Sequence, residues 1–267
     1  VRPGPLHPRR PWPRSWAAEI NLAPSPLVAS AEPVDQPPAL MTAHVGVSYG
    51  GVRATDDVSL SVQRGEIVGL IGPNGAGKTS LVDAWCGFVA HDGTVEVNGH
   101  DVTGRPPHRR ARAGLARTWQ TIELIDDLTL AQNCAVAAPH ADAAHLEATL
   151  ERVGLGGRGG RRPGELSLGQ RKLGGVARAV VAGAAVVLLD EPAAGLDPTE
   201  IEALASVVES LAAEGLGIVL IEHDTALVFR LCSRVVVLVG GRVLTDGTPE
   251  EVRADGEVIA AYLGTAR

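Results

Sequence analysis

The sequence predicts an α/β domain built on a mostly parallel sheet covered on both faces, with an antiparallel β portion ahead of it and an all-α insert within it. Three observations predict this. Short apolar runs at 66–71, 186–189 and 217–222 alternate with segments of helical period, the order that builds a parallel sheet. Residues 42–49 and 58–62 alternate polar and apolar positions on either side of Gly50 and Gly51, the pattern of an antiparallel pair. From 121 to about 182 the periodic stretches, 127–136 and 143–153 among them, place apolar residues at helical spacing.

The elements follow in order. Residues 1–40 hold ten of the eighteen prolines and show no sustained period, so they cannot bury enough apolar surface to order themselves. The expectation is a disordered segment, or sequence lying upstream of a start at Met41, the only methionine, with the domain at 41–267. After the antiparallel pair come the strand 66–71, a glycine-rich turn and a helix from Thr79. A short strand at 94–97 ends in the turn residues Asn98 and Gly99, and 106–113 reads as a short basic helix. Residues 114–119 read as a strand ending at Gln120, where the insert begins. Its first two helices are followed by a glycine- and arginine-rich loop, 154–164, and a helix from Ser167 to about Ala182. Val186, Val187, Leu188 and Leu189 form a strand buried on both faces. Helix 198–214, strand 217–222, helix 224–231, a hairpin around Gly240 and Gly241, and two closing helices at 248–254 and 257–263 complete the chain.

Composition narrows the function. A length of 267 residues with 45% hydrophobic content suits one domain with attachments and a sizeable core. A net charge of -7 with no basic stripe argues against nucleic acid as a partner. The longest apolar run, 179–189, falls well short of the roughly 20 residues a membrane span needs, so any work at a membrane goes through other subunits. Cys86, Cys134 and Cys232 are few and scattered, which suits neither a disulfide framework nor a zinc site.

The turn after strand 66–71 reads Gly72, Pro73, Asn74, Gly75, Ala76, Gly77, Lys78, Thr79. Strand, glycine-rich turn and helix is the context of a phosphate-binding loop, whose N–H groups turn inward beside the positive end of a helix. Lys78 is placed to reach the β- and γ-phosphates of a nucleotide and the Thr79 hydroxyl to ligate Mg²⁺. Only Lys78 and Lys172 among the 24 basic residues are lysine, and one of them fills the slot the motif demands. A planar guanidinium does not replace a compact ammonium there.

Leu189, Asp190, Glu191 and Pro192 end a buried strand with two carboxylates, at the sheet edge where ligands sit in open α/β folds. Asp190 is placed to hold Mg²⁺ through water and Glu191 to polarise an attacking water as general base. Taken alone, the pair fits equally well as acidic residues favouring a helix start.

Leu166, Ser167, Leu168, Gly169 and Gln170 resemble the signature sequence of the ATP-binding cassette (ABC) family, written LSGGQ, and lie about twenty residues ahead of Asp190 as in that family. Other motifs fall in order. Gln120 is similar to the Q-loop glutamine, Gly195, Leu196 and Asp197 to the D-loop, His223 to the switch histidine, and Tyr49 to the aromatic that stacks on adenine. Singly, each has a plainer reading: a loop amide, a helix-start histidine, a strand aromatic. Together they cover about 42–264. The resemblance implies an ABC nucleotide-binding domain: a P-loop NTPase core, an antiparallel β subdomain and an α-helical insert. It implies ATP and Mg²⁺ as ligands. Gly72 through Ser80 would hold phosphates, and Thr79, Gln120 and Asp190 the metal. Glu191, His223 and Gln120 would serve catalysis. It also implies two such subunits facing head to tail, so that Ser167, Gly169, Gln170 and Asp197 of one meet the nucleotide of the other. Leu168 departs from the motif, where glycine is usual.

Finer resemblance points to one group. Residues 109–120, ending Arg117, Thr118, Trp119, Gln120, resemble the RTFQ-type Q-loop approach of the ATPase subunits of branched-chain amino acid importers, with Trp119 for the usual Phe. Residues 127–133 resemble their LTVxEN helix start, and 190–196 and 247–264 are also similar. What this implies is the ATP-hydrolysing motor of an importer for branched-chain or other hydrophobic amino acids. It would sit at the cytoplasmic face of the membrane beneath two transmembrane permease subunits, beside a second ATPase subunit and served indirectly by a solute-binding protein. Urea or amide uptake and lipopolysaccharide export systems share parts of these segments and are the alternatives within transport. A soluble ABC ATPase of repair or translation, the alternative of another class, carries coiled coils, zinc cysteine pairs or tandem cassettes, which this sequence does not show.

Overall fold

The computed structural model describes residues 36–119, 124–223 and 225–263, all within one compact unit. Expectations for residues 1–35, for Gln120 and the insert start at 121–123, for Asp224 and for 264–267 lie outside the described residues. The first strand, β1 (Leu40–Tyr49), starts earlier than the pattern at 42–49 suggested. Leu40 pairs with Val62 on one side and Val97 on the other, and Ala39 and Leu40 have no exposed surface. Ala39 and Leu40, just ahead of the expected domain 41–267, thus close the end of a core with their side chains.

β1 pairs antiparallel with β2 (Val52–Val62) and β4 (Asp92–Val97), and β5 (His100–Asp101) extends this four-stranded sheet. The second sheet has six strands. β3 (Ile67–Ile71) lies at its centre, flanked by β8 (Gly217–Ile221) and β9 (Arg234–Val239), all parallel. β7 (Val186–Asp190) and β6 (Leu115–Arg117) continue the parallel order beyond β8, and β10 (Arg242–Gly247) turns back antiparallel on β9. Side chains alternate between two cores as the pleat requires. Val68, Leu70, Val186, Leu188, Val219 and Ile221 face α1 (Lys78–Cys86) and the antiparallel sheet. Ile67, Ile71, Val187, Leu189, Ile218 and Leu220 face the helices of the other layer, α5 (Leu168–Val180), α6 (Pro198–Ala213) and α7 (Thr225–Leu231). Gly69 belongs to that second face, where a Cβ would lie 2.5 Å from Val228, so glycine lets α7 lie close against β3.

Between β6 and β7 the described chain is helical: α3 (Leu130–Ala137), α4 (Ala143–Arg152), a 3₁₀ turn at Pro163–Glu165, and α5. Leu130, Cys134 and Leu150 pack into the same core as Leu173, Val176 and Ala177. Gly174 has a packing reason, since a Cβ there would meet Leu130 at 2.7 Å and Leu124 at 3.2 Å. Nothing lies within 4 Å of a Cβ on Gly175, and its presence in the helix is unexplained by packing. Asn133 is fully buried and acts as a staple: its Oδ1 accepts from the Ile125 N–H at 2.7 Å, and its Nδ2 donates to the carbonyls of Ile125, Leu128 and Thr129.

The basic helix α2 (Pro107–Arg112) is not simply a solvated face. Arg110 is buried and donates to the carbonyls of Ala84 and Trp85 at 2.8 and 2.9 Å, closing the C-terminus of α1. The chain ends in α8 (Pro249–Ala254) and α9 (Gly256–Leu263).

Candidate functional site

The glycine-rich turn joins the end of β3 to α1. Lys78, the first residue of α1 and 8% exposed, donates from Nζ to the carbonyls of Gly72 (2.6 Å) and Pro73 (3.3 Å), arching back along the loop. Two glycines are required by close approach. A Cβ on Gly72 would lie 2.2 Å from the Leu238 carbonyl oxygen, and one on Gly77, which has φ 101°, 2.4 Å from that of Ala54. Burial pulls the Lys78 ammonium below its ordinary pKa, opposed by the negative charges of Glu191 and Asp190. An ammonium arched along a glycine-rich loop at a helix N-terminus is suited to receive phosphate oxygens.

Asn74 through Ser80 line one cleft of about 300 Å³ together with Asp190, Glu191 and His223; Ala54 and Ile221 complete it. Asp190 ends β7, at the C-terminal edge of the parallel strands. Its carboxylate accepts from Arg117 at 2.7 Å, and the same guanidinium pairs with Asp83 of α1. Arg117 also lies over the Trp119 ring, 4.1 Å from its centroid.

Glu191 follows with φ 46°, a left-handed conformation that a non-glycine residue holds only when its surroundings enforce it. Here its N–H donates to the Ile221 carbonyl at 2.8 Å, and its own carbonyl accepts from Lys172 Nζ at 3.0 Å. Its Oε1 lies 2.9 Å from His223 Nε2. Behind it, Glu222 is buried and accepts from the N–H groups of Ala193 (2.7 Å) and His223 (3.2 Å), and burial raises its pKa. Sequence reasoning missed Lys172, Arg117 and Glu222. The scarcity of lysine was the signal for Lys172, and it was read only for Lys78.

A second group stands apart from the cleft lining. Ser167 caps α5, its hydroxyl accepting from the Gln170 N–H, while Gln170 Oε1 accepts from the Ser167 N–H. Asp197 caps α6 through the Glu200 N–H at 2.9 Å. Gln170 and Asp197 thus have capping work of their own. Glu200, absent from the sequence expectations, bridges the two helices: its Oε1 accepts from the Ser167 hydroxyl at 2.9 Å and from the Gly169 N–H at 3.0 Å. Its sequence signal is the spacing Asp197-x-x-Glu200 of a capping box. Tyr49 ends β1, half exposed, outside the cleft lining.

The residues fit a nucleotide and its metal. Among the described residues no three His, Cys, Asp or Glu side chains cluster to hold an ion by themselves. Mg²⁺ does not need such a cage when it is bound by a hydroxyl, a carboxylate and substrate phosphates, and Thr79 and Asp190, which line one cleft, could supply the first two.

A glycine loop at the carboxyl edge of a parallel sheet, a buried lysine and two strand-end carboxylates define a P-loop nucleotide-binding domain. The chain belongs to the ABC transporter family: the profile described as ABC transporter matches residues 55–194. A second profile, described as branched-chain amino acid ATP-binding cassette transporter, matches residues 242–267. The high-affinity branched-chain amino acid transport ATP-binding protein BraF of Pseudomonas aeruginosa is 34% identical over 252 residues, covering 86% of this chain and 99% of BraF. LivG of Salmonella typhimurium, of the same description, is 36% identical over 252 residues, with 86% and 99% covered. The crystal structure of the ADP conformation of MJ1267, an ATP-binding cassette of an ABC transporter, superposes with a TM-score of 0.78 at 27% identity, covering 85% of this chain and 99% of that one.

Proposed function

We propose that the chain is the ATP-hydrolysing motor subunit of an importer for branched-chain or other hydrophobic amino acids. The observation that carries the reading is the cleft that joins Lys78 and Thr79 to Asp190, Glu191 and His223. Lys78 and the N–H groups from Asn74 to Ser80 bind the phosphates of ATP, and Tyr49 offers a ring to the adenine. Thr79 and Asp190 hold Mg²⁺, with Gln120 completing the set; the ion, when bound, neutralises charge on the phosphates. Glu191 accepts the proton of the attacking water, and His223 orients the Glu191 carboxylate through their 2.9 Å contact. Ser167, Gly169, Gln170 and Asp197 serve the nucleotide held on a facing ATPase subunit, so ATP closes the pair and hydrolysis releases it.

No described helix is long and apolar enough to cross a membrane; in the transport reading the subunit works with two permease subunits. Their contact falls in a largely apolar groove of about 440 Å³ between α1, α2 and the helical insert, where Phe88, Trp119 and Val136 are exposed. Trp119 precedes Gln120, so a segment seated there bears on the metal site. The subunit would work at the cytoplasmic face of the membrane, with a solute-binding protein acting from the other side. The profile over 242–267 supports the branched-chain reading over the related transport systems.

The test is reconstitution with its permeases and solute-binding protein, reading ATP-driven leucine uptake. Uptake competed by isoleucine and valine is expected. ATP hydrolysis without uptake of any of the three would overturn the solute class, and absence of hydrolysis would overturn the motor itself.

A further inference from the structure

The donors that the proposed dimer offers to a γ-phosphate already carry an anion. The Ser167 hydroxyl and the Gly169 N–H both donate to one oxygen, Oε1 of Glu200, at 2.9 and 3.0 Å. Glu200 is the third residue of α6, where capping alone would turn its carboxylate to the Asp197 N–H. That bond is the weakest of the three, at 3.4 Å. The carboxylate reaches α5 as well, through its other oxygen. The fit is close: a Cβ on Gly169 would lie 2.9 Å from Glu200 Cδ, so the glycine is what lets the carboxylate in. A hydroxyl and an N–H converging on one anionic oxygen at the start of a 13-residue helix reproduce the surroundings of a bound phosphate oxygen.

We propose that Glu200 is a positioning residue of the shared ATP site, holding Ser167 and Gly169 in place in the open subunit and yielding that place to the γ-phosphate on closure. The inference rests on the head-to-tail reading above. Each donor has one proton to give, so Glu200 and a phosphate oxygen cannot both be served. Two anions at contact distance also repel. Closure is therefore an exchange of one oxyanion for another. Glu200 raises the ATP concentration that closure demands and keeps the donors aimed until then. After displacement its carboxylate still has the Asp197 N–H to accept from.

Two measurements test this, each on wild type, Glu200→Gln and Glu200→Ala. Glutamine keeps an acceptor for the α6 cap and removes the charge, which separates the proposed role from capping. In the nucleotide-free full chain, amide hydrogen exchange at Gly169 is expected to speed up in Glu200→Ala, while the Leu204 and Leu211 amides of α6 keep their wild-type rates. In the transporter assembled with its permeases, both variants are expected to lower the KM for ATP, by about three- to tenfold for the loss of charge-assisted hydrogen bonds, in the order wild type, Gln, Ala. The change is expected in KM rather than in kcat. An unchanged or raised KM in both variants, or Gly169 exchange that does not respond, would overturn the proposal. Normal hydrolysis with unchanged KM would overturn it alone, whereas an assembled complex without hydrolysis would overturn the motor reading and this inference with it.

Discussion

The ammonium of Lys172 donates to the main-chain carbonyl of Glu191 across 3.0 Å, tying the signature helix α5 to the residue that follows β7. Glu191 stands at φ 46°, a conformation that costs a non-glycine residue about 1–3 kcal/mol and must be held from outside. Lys172→Met keeps the aliphatic stem and removes the donor. The expected result is a fall in kcat of about tenfold, from the loss of a hydrogen bond involving a charged group, with ATP affinity little changed. Steady-state kinetics beside a calorimetric nucleotide titration decide this; an equal loss in both would mean that Lys172 supports the whole cleft rather than Glu191.

The two adjacent glycines of α5 are expected to respond in opposite directions. A Cβ at position 174 meets Leu130 at 2.7 Å, whereas position 175 is open. Gly175→Ala should stabilise the chain by up to about 1 kcal/mol, the helix-propensity difference. Gly174→Ala gains the same propensity but overpacks against α3 at a cost of about 1–3 kcal/mol, so its net effect should be a loss of up to about 2 kcal/mol. Denaturant midpoints of the two variants test the pair, and a Gly174→Ala protein as stable as wild type would contradict the packing reading.

Glu222 titrates above its ordinary value of 4.5, first because it is buried and also because Glu191 is near, while the N–H groups of Ala193 and His223 and the charge of Lys172 pull it back. Below the unfolded value both states carry the proton and there is no penalty. As pH rises from the unfolded value to the folded one, the unfolded chain ionises this carboxyl in water while burial keeps it protonated in the native state, so stability is lost. Glu222→Gln removes that loss. The thermal midpoint of the variant, relative to wild type, is expected to rise as pH climbs above the ordinary value of 4.5. A difference that is flat or falls over this range would contradict it.

Much of the fold was legible because the parallel strands are short apolar runs between helical periods, and because the loop from Gly72 to Thr79 has a backbone role that dictates residue type. The start of β2 was not. Its first residues, from Val52 to Asp57, are held by charged pairs such as Arg53 with Asp56 at 2.9 Å, and carry no clear alternation. The residues that support the site were hidden for a related reason. Arg117 reaches Asp190 and Glu200 reaches Ser167 across large sequence separations, so no local pattern announces them. The roles of Gly174 and Asn133 in packing α3 likewise appear only when the helices meet.

The most direct test of the account is Glu191→Gln in the permease-bound complex, measuring ATP affinity and turnover on the same preparation. Glutamine preserves the shape of the side chain that lies 2.9 Å from His223 and removes its basicity. Affinity is expected to remain near wild type while turnover falls by roughly 10²–10⁴-fold, the range for loss of a general base. Turnover at the wild-type rate would contradict the central claim that Glu191 activates the water that attacks ATP.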